Sequence, residues 1–188
     1  MNNNEKNSWV TLQSDIRYET PWIKVTNHEV LNPSGKPGIY GVVSFKNLAI
    51  GVIPIDEEGN TWLVGQWRYP LELYSWEIPE GGGPLGIPPL ESAIRELKEE
   101  TGLSARQYTE ICRMHTSNSV SDELAIIYVA TGLTPGESAP EESEDLQIRK
   151  VPFAEAYQMV MDGKITDSLS MVGILKAKLW MDSGKLTL

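Results

Sequence analysis

Glu96, Glu99 and Glu100 are the residues of this chain best spaced for chemistry; they lie in the segment GGGPLGIPPLESAIRELKEETGL, Gly81 to Leu103. At 3.6 residues per turn, Glu99 and Glu100 fall about 60° to one side of Glu96 and about 40° to the other, so the three carboxylates share one helix face. Leu90, Ala93, Ile94 and Leu97 gather about 110° further round, which predicts an apolar stripe turned to the core with the acids at its edge. Like charges at these spacings repel by roughly a few tenths of a kcal/mol per pair. A hard divalent cation with oxygen ligands offsets that repulsion, and a glycine-rich loop leading into the helix suits phosphate oxygens brought by the same cation. Gly102 fits the left-handed residue that closes a helix. By itself such a face is more often solvated surface, so the surrounding sequence has to decide.

The segment resembles the signature of the Nudix hydrolases: Gly, five residues, Glu, seven residues, then Arg-Glu-(aliphatic)-x-Glu-Glu-x-Gly-(aliphatic). Gly81, Arg95, Glu96, Leu97, Glu99, Glu100, Gly102 and Leu103 fill eight of its nine defined positions. Ile87 holds the ninth, where the family carries a Glu that braces the helix Arg. Glu91, four residues before Arg95 in the favourable acid-first order, is expected to take over that brace; the alternative is a solvated Arg95 with Ile87 packing the loop. The resemblance implies an α/β/α sandwich with a mixed sheet. It also implies two or three Mg2+ or Mn2+ ions held by Glu96, Glu99, Glu100 and the backbone carbonyl of Glu80 against a diphosphate.

Further stretches resemble one branch of that family, the ADP-ribose pyrophosphatases and nucleoside diphosphate sugar hydrolases. They are YETPW from Tyr18, VGQWRYP from Val64 and WEIPEG from Trp76, so the likeness spans about residues 15 to 180. In that branch an acidic loop before the penultimate strand carries a catalytic Glu. Glu142 and Glu144, within GLTPGESAPEESEDLQ, match its position, although composition alone reads the loop as a solvated connection. The resemblance implies Glu142 as the base, with Glu144 assisting through metal or water and Glu100 completing the catalytic set. It carries Trp22, Arg68 and Glu77 over as nucleotide contacts. Each has a plain structural alternative: packing for Trp22, a surface ion pair for Arg68 and a structural hydrogen bond for Glu77.

Asn118, within Ser117-Asn118-Ser119, stands where strict ADP-ribose pyrophosphatases carry a proline. That departure favours a broader taste that includes GDP-mannose, with Asn118 at the substrate. Ser121-Asp122-Glu123 either shapes the sugar pocket or forms a turn. The alternatives are a nucleoside triphosphate or dinucleoside polyphosphate pyrophosphohydrolase, and a non-catalytic ligand sensor on the same scaffold.

The elements that must position these groups follow from periodicity and turn chemistry. Strands are expected at Ile23 to Leu31, Ile39 to Phe45, Leu48 to Ile55, Thr61 to Trp67, Tyr108 to Arg113, Ala125 to Thr131 and Gln147 to Val151. Helices are expected near Phe153 to Met161 and Asp167 to Trp180. The first two strands should form a hairpin across NPSGKPG, and the next two a second hairpin across DEEGN. Residues 1–45 then read as an N-terminal strand region and 46–188 as the hydrolase domain; in the branch it resembles, such N-terminal strands exchange or pack across a homodimer.

Composition narrows the partners. A formal net charge of −10 argues against gripping nucleic acid, whose affinity rests on neutralising phosphates with Lys and Arg. Two histidines are too few for a His-based metal site, although His115 adjoins a polar run, and the single Cys112 excludes an intrachain disulfide. The polar N-terminus and the lack of a long apolar run lead us to expect a cytoplasmic protein with no membrane span.

Overall fold

Every residue from Ile50 to Ile55 is buried, so this run lies between two apolar layers instead of on one face of a surface hairpin. In the computed structural model, residues 6–138 and 145–186 are described. They form two compact units: residues 1–47 with 117–123, and residues 48–116 with 124–188.

In the first unit, β1 (Val10–Glu19), β2 (Ile23–Leu31) and β3 (Pro37–Phe45) form an antiparallel sheet in the order β1-β2-β3. The β2–β3 hairpin expected from the sequence is present. Asn32 closes it by accepting the Ser34 and Lys36 N–H groups on Oδ1, both at 3.0 Å. β1 was not anticipated, although Val10, Leu12, Ile16 and Tyr18 alternate with polar residues; all four remain exposed. Residues 117–123 dock on β3: Val43 N–H donates to the Val120 carbonyl at 2.8 Å, and Asp122 Oδ1 accepts the Phe45 N–H at 2.9 Å.

In the second unit, β4 (Asn47–Pro54), β7 (Glu80–Pro84), β8 (Ser104–His115) and β9 (Leu124–Thr134) make a sheet ordered β7-β4-β9-β8. β4 runs parallel to β9 and β8 antiparallel to it, so the sheet is mixed. β5 (Asn60–Arg68), β6 (Leu73–Glu77) and β10 (Gln147–Pro152) form a separate antiparallel sheet ordered β10-β5-β6. This corrects the second expected hairpin: β4 and β5 lie in different sheets and share only the Ile55–Thr61 bridge. The physical reason is the continuous burial of β4, which demands a central place with cover on both faces. The intervening turn forms as expected, with Asp56 Oδ1 accepting the Asn60 N–H at 2.7 Å.

Alternate residues of β4 face two apolar clusters. Ile50 and Val52 pack with Ala93 and Leu97 of α1 (Pro89–Thr101), while Ile53 and Ile55 pack with residues of α2 (Phe153–Met161) and α3 (Ser168–Asp182). Helices therefore cover both faces of the mixed sheet, as expected for an α/β/α sandwich. Gly173 of α3 permits close contact, since a Cβ there would lie 3.0 Å from Ile53 Cδ1 and 3.1 Å from Ile127 Cγ2. No described helix is long and apolar enough to cross a membrane.

Candidate active site and metal centre

α1 begins at Pro89, whose fixed φ suits a first helical position, and ends at Gly102 with φ 73°, the left-handed closure expected from the sequence. Its buried face differs from the expected stripe. Ala93 and Leu97 are buried, but Leu90 is 41 % and Ile94 44 % exposed, while Glu96 and Glu100 keep only 6 % and 2 % of their surface. α1 thus turns its acids inward, against β7.

Two contacts fix that arrangement. Glu100 Oε2 accepts the backbone N–H of Glu80 at 2.8 Å. Gly81 lies directly over the Glu96 carboxylate, so closely that any Cβ at this position would overlap it. The glycine lets the β7 backbone approach this carboxylate, and any side chain there would have to push the end of Glu96 aside. Arg95 completes the group, with Nη1 donating to Glu99 Oε2 at 2.7 Å and Nη2 to Glu96 Oε1 at 2.5 Å and to the Gly82 carbonyl at 2.7 Å.

A second cluster adjoins the first through Glu80. Arg68 Nε donates to Glu77 Oε1 at 2.9 Å, Nη2 also donates to Glu77 Oε2, and Nη2 reaches Glu80 Oε1 at 2.9 Å. Burial above all, then the charges of Asp167 and Glu77, push the Glu80 carboxyl well above the ordinary carboxylate range, and Arg68 only partly offsets them. Glu80 Oε2 is buried without a protein donor, while the same carboxyl interacts with the Asp167 side chain. Asp167 caps α3 by accepting the Ser170 N–H at 2.7 Å, and the fully buried Ser170 Oγ accepts the Ile78 N–H at 2.9 Å.

The NUDIX domain family matches residues 45–168, and the nucleoside diphosphate sugar hydrolase N-terminal domain family matches residues 9–43. The chain belongs to the Nudix hydrolase family. An ADP-ribose pyrophosphatase of Mycobacterium tuberculosis is 35 % identical over 130 residues, a match that covers 68 % of this chain and 63 % of that protein's length. A methanol dehydrogenase activator of Bacillus methanolicus is 31 % identical over 166 residues, 87 % of this chain and 89 % of that protein. Among solved structures, that of an ADP compounds hydrolase superposes with a TM-score of 0.84 at 20 % identity, covering 94 % of this chain and 95 % of the other, and so shares the fold.

Within the Nudix helix the expected brace is corrected. Glu91 makes no ion pair with Arg95, which instead takes Glu96, its neighbour in sequence, and Glu99, four residues on. That choice bears on metal binding. Among the described residues, no three His, Cys, Asp or Glu side chains converge on a point that could hold an ion, and the Arg95 guanidinium bridges Glu96 and Glu99 as a stand-in cation. The donor set still suits a hard cation, being carboxylates plus a peptide carbonyl beside the clearance that Gly81 provides.

Glu142 and Glu144 lie outside the described residues. Arg68 and Glu77 come together with Glu80 in one ion-pair cluster. Trp22 and Asn118 belong to the N-terminal unit. Trp22 is 68 % exposed, which removes core packing as its role within one chain. Asn118 sits in a turn whose Ser117 carbonyl accepts the Ser121 N–H at 2.9 Å. Sequence reasoning missed Asp167, Ser170 and the Glu80 carboxyl. The Asp-Ser-Leu-Ser start of α3 advertised a helix cap, but nothing in it pointed to residues near 80.

Proposed function

We propose that this Nudix hydrolase cleaves the diphosphate bond of nucleoside diphosphate sugars, ADP-ribose and GDP-mannose among them, to a nucleoside monophosphate and a sugar phosphate. The observation that carries this reading is the β7 backbone lying on the Nudix acids, with Gly81 over Glu96 and the Glu80 N–H on Glu100. The two family matches and the ADP-ribose pyrophosphatase relative support the substrate class.

Glu96, Glu99, Glu100 and the Glu80 carbonyl hold Mg2+ or Mn2+, two or three ions, with Glu144 as a further ligand. When bound, such ions neutralise the diphosphate and make phosphorus a better electrophile. Glu142 takes the proton of the attacking water, and the bridging oxygen leaves with the second phosphate. Arg68 spends Nε and Nη2 on Glu77 and Glu80, which leaves Nη1 for a substrate oxygen. Trp22 supplies an exposed face for base stacking, and Asn118 reads the sugar end.

Val10, Leu12, Ile16 and Tyr18 all leave apolar surface exposed on β1, whose register shifts place Ile16 opposite Thr26 and Tyr18 opposite Val25 and so on different faces, and we assign this strand to a homodimer contact with a second copy.

Product analysis tests the reading. Purified protein with Mg2+ is incubated separately with ADP-ribose, GDP-mannose, UDP-glucose, a dinucleoside polyphosphate and a nucleoside triphosphate. Monophosphate plus sugar phosphate from the first three supports it, whereas pyrophosphate or phosphate release from the last two alone overturns it. The Bacillus methanolicus relative favours a second reading, since its name describes activation of another enzyme. Tight binding of a nucleotide sugar with no turnover would favour that role.

A further inference from the structure

We propose that Tyr40 and Asp122 are positioning residues for Asn118, so that the N-terminal sheet sets how sharply the enzyme distinguishes one terminal sugar from another. The inference rests on the reading above that puts Asn118 at the sugar end of the substrate.

All the residues concerned lie in the unit of residues 1–47 and 117–123. β3 is an edge of the β1-β2-β3 sheet, and an edge strand offers N–H and C=O groups that need partners. Residues 119–122 take that edge in parallel alignment, held at Tyr40, Val43 and Phe45 in turn. Tyr40 Oη donates to the Ser119 carbonyl at 2.7 Å. Val43 N–H donates to the Val120 carbonyl at 2.8 Å, and Val43 forms a parallel bridge with Ser121. Phe45 N–H donates to Asp122 Oδ1 at 2.9 Å, so a side chain continues the ladder where the backbone leaves it. Of the two roles the sequence left open to Ser121-Asp122-Glu123, Asp122 takes the turn-forming one. Tyr40 is itself held, since its ring meets the Trp9 ring edge-on with centroids 5.3 Å apart.

The turn is also closed from within. The Ser117 carbonyl accepts the Val120 N–H at 3.2 Å, the Ser121 N–H at 2.9 Å and the Ser121 hydroxyl at 3.2 Å. The backbone on either side of Asn118 is thus fastened, whereas Asn118 itself is exposed and its side chain bonds to none of the described residues. A free carboxamide, with two donors and an acceptor, matches the hydroxyls of a sugar. Such a group discriminates between sugars only while its own position is fixed, because a side chain free to follow the ligand bonds to either one. Tyr40 and Asp122 supply that fixity from outside the substrate.

Steady-state kinetics with Mg2+ on ADP-ribose and ADP-glucose tests this, because the two share base, first ribose and diphosphate and differ in the terminal sugar. The readout is the ratio of the two kcat/KM values, beside the melting temperature. Wild type is compared with Asn118→Ala, Tyr40→Phe, Asp122→Ala, Asp122→Asn and the double variant Asn118→Ala with Tyr40→Phe. Tyr40→Phe and Asp122→Ala are expected to shift the ratio about 3–10-fold in the direction set by Asn118→Ala, the range for one hydrogen bond lost from the sugar. The shift should lie in KM more than in kcat. Tyr40→Phe keeps the ring against Trp9 and should melt as wild type does, and Asp122→Asn keeps an acceptor and should keep the wild-type ratio. The double variant should shift no further than Asn118→Ala, since a positioning residue acts only through the group it positions. A wild-type ratio in Tyr40→Phe or in Asp122→Ala overturns the proposal, as do fully additive shifts in the double variant. An Asp122→Asn ratio shifted as far as that of Asp122→Ala overturns it too, as does a Tyr40→Phe shift matched by a lowered melting temperature. Failure of the underlying reading looks different: Asn118→Ala keeps the wild-type ratio, or neither substrate is hydrolysed, and the proposal falls with it.

Discussion

Glu100 Oε2 accepts the backbone N–H of Glu80 at 2.8 Å, so an acid of the Nudix helix also fastens the strand that lies over it. The carboxylate has two separable properties, a charge and an acceptor oxygen. Glu100→Gln keeps an acceptor and should fold normally while losing most Mn2+ affinity. Glu100→Ala also orphans a buried N–H, which costs about 1–3 kcal/mol. Urea unfolding beside Mn2+ titration checks the split; equal stability of the two variants would mean that the 2.8 Å bond contributes nothing to the fold.

Arg95 bonds to Glu96 and Glu99 at 2.5 and 2.7 Å, in the place a metal would contest. Removing it should leave two acids repelling each other and a site more responsive to cations. In Arg95→Ala, melting without metal should fall, and the rise in melting temperature on adding Mg2+ should exceed that of wild type, because ligand stabilisation grows with the ratio of concentration to Kd. An unchanged Mg2+ response in thermal denaturation would show that Arg95 stays in place when the metal binds.

Gly81 does not need a left-handed backbone, since it is absent from the positive-φ glycines, so what a side chain there would disturb is the position of the Glu96 carboxylate. Gly81→Ala should cost no more than about 1 kcal/mol, because the end of the Glu96 side chain can move aside. Glu96 should move with it, and Mn2+ affinity should drop in the same variant. Differential scanning calorimetry and Mn2+ titration check both effects; unaltered metal binding would place Glu96 outside the metal set.

Asp56 stabilises the turn between β4 and β5. Burial acts to raise its pKa, but Lys150, whose Nζ lies 2.8 Å from Oδ2, and the Asn60 donors outweigh burial and hold it below its ordinary value of 3.8. A carboxylate whose folded pKa is depressed contributes stability that is present above the unfolded pKa and is lost as pH falls through the folded pKa. Asp56→Asn preserves the turn acceptor and removes only the charge. It should cost about 0.5–1 kcal/mol at pH 7, and the difference should shrink as pH falls below the ordinary value of 3.8 and vanish once it is below the depressed folded pKa. Urea denaturation at pH 7 and pH 3 checks it; a constant difference would mean the charge is irrelevant.

The sequence by itself determined what local geometry determines. Glu96, Glu99 and Glu100 share a face because a helix repeats every 3.6 residues, and Gly102 closes that helix because only glycine adopts φ 73° without strain. The hairpin between β2 and β3, and α2, follow from turn residues and periodicity in the same way. Tertiary structure alone decided where those elements are joined. β4 and β5 look like partners across DEEGN, but β4 is apolar at every core position and is drawn to the centre of another sheet. Arg95 pairs with Glu96 and Glu99 and not with Glu91: Glu96 is buried against β7 and needs a counter-charge there, and Glu99 lies one turn on along the helix from Arg95. Glu80, Asp167 and Ser170 meet across nearly ninety residues, as the 92-residue separation of Ile78 and Ser170 shows. No periodicity reports such a contact, because it forms only when α3 packs on the strands that carry the Nudix acids.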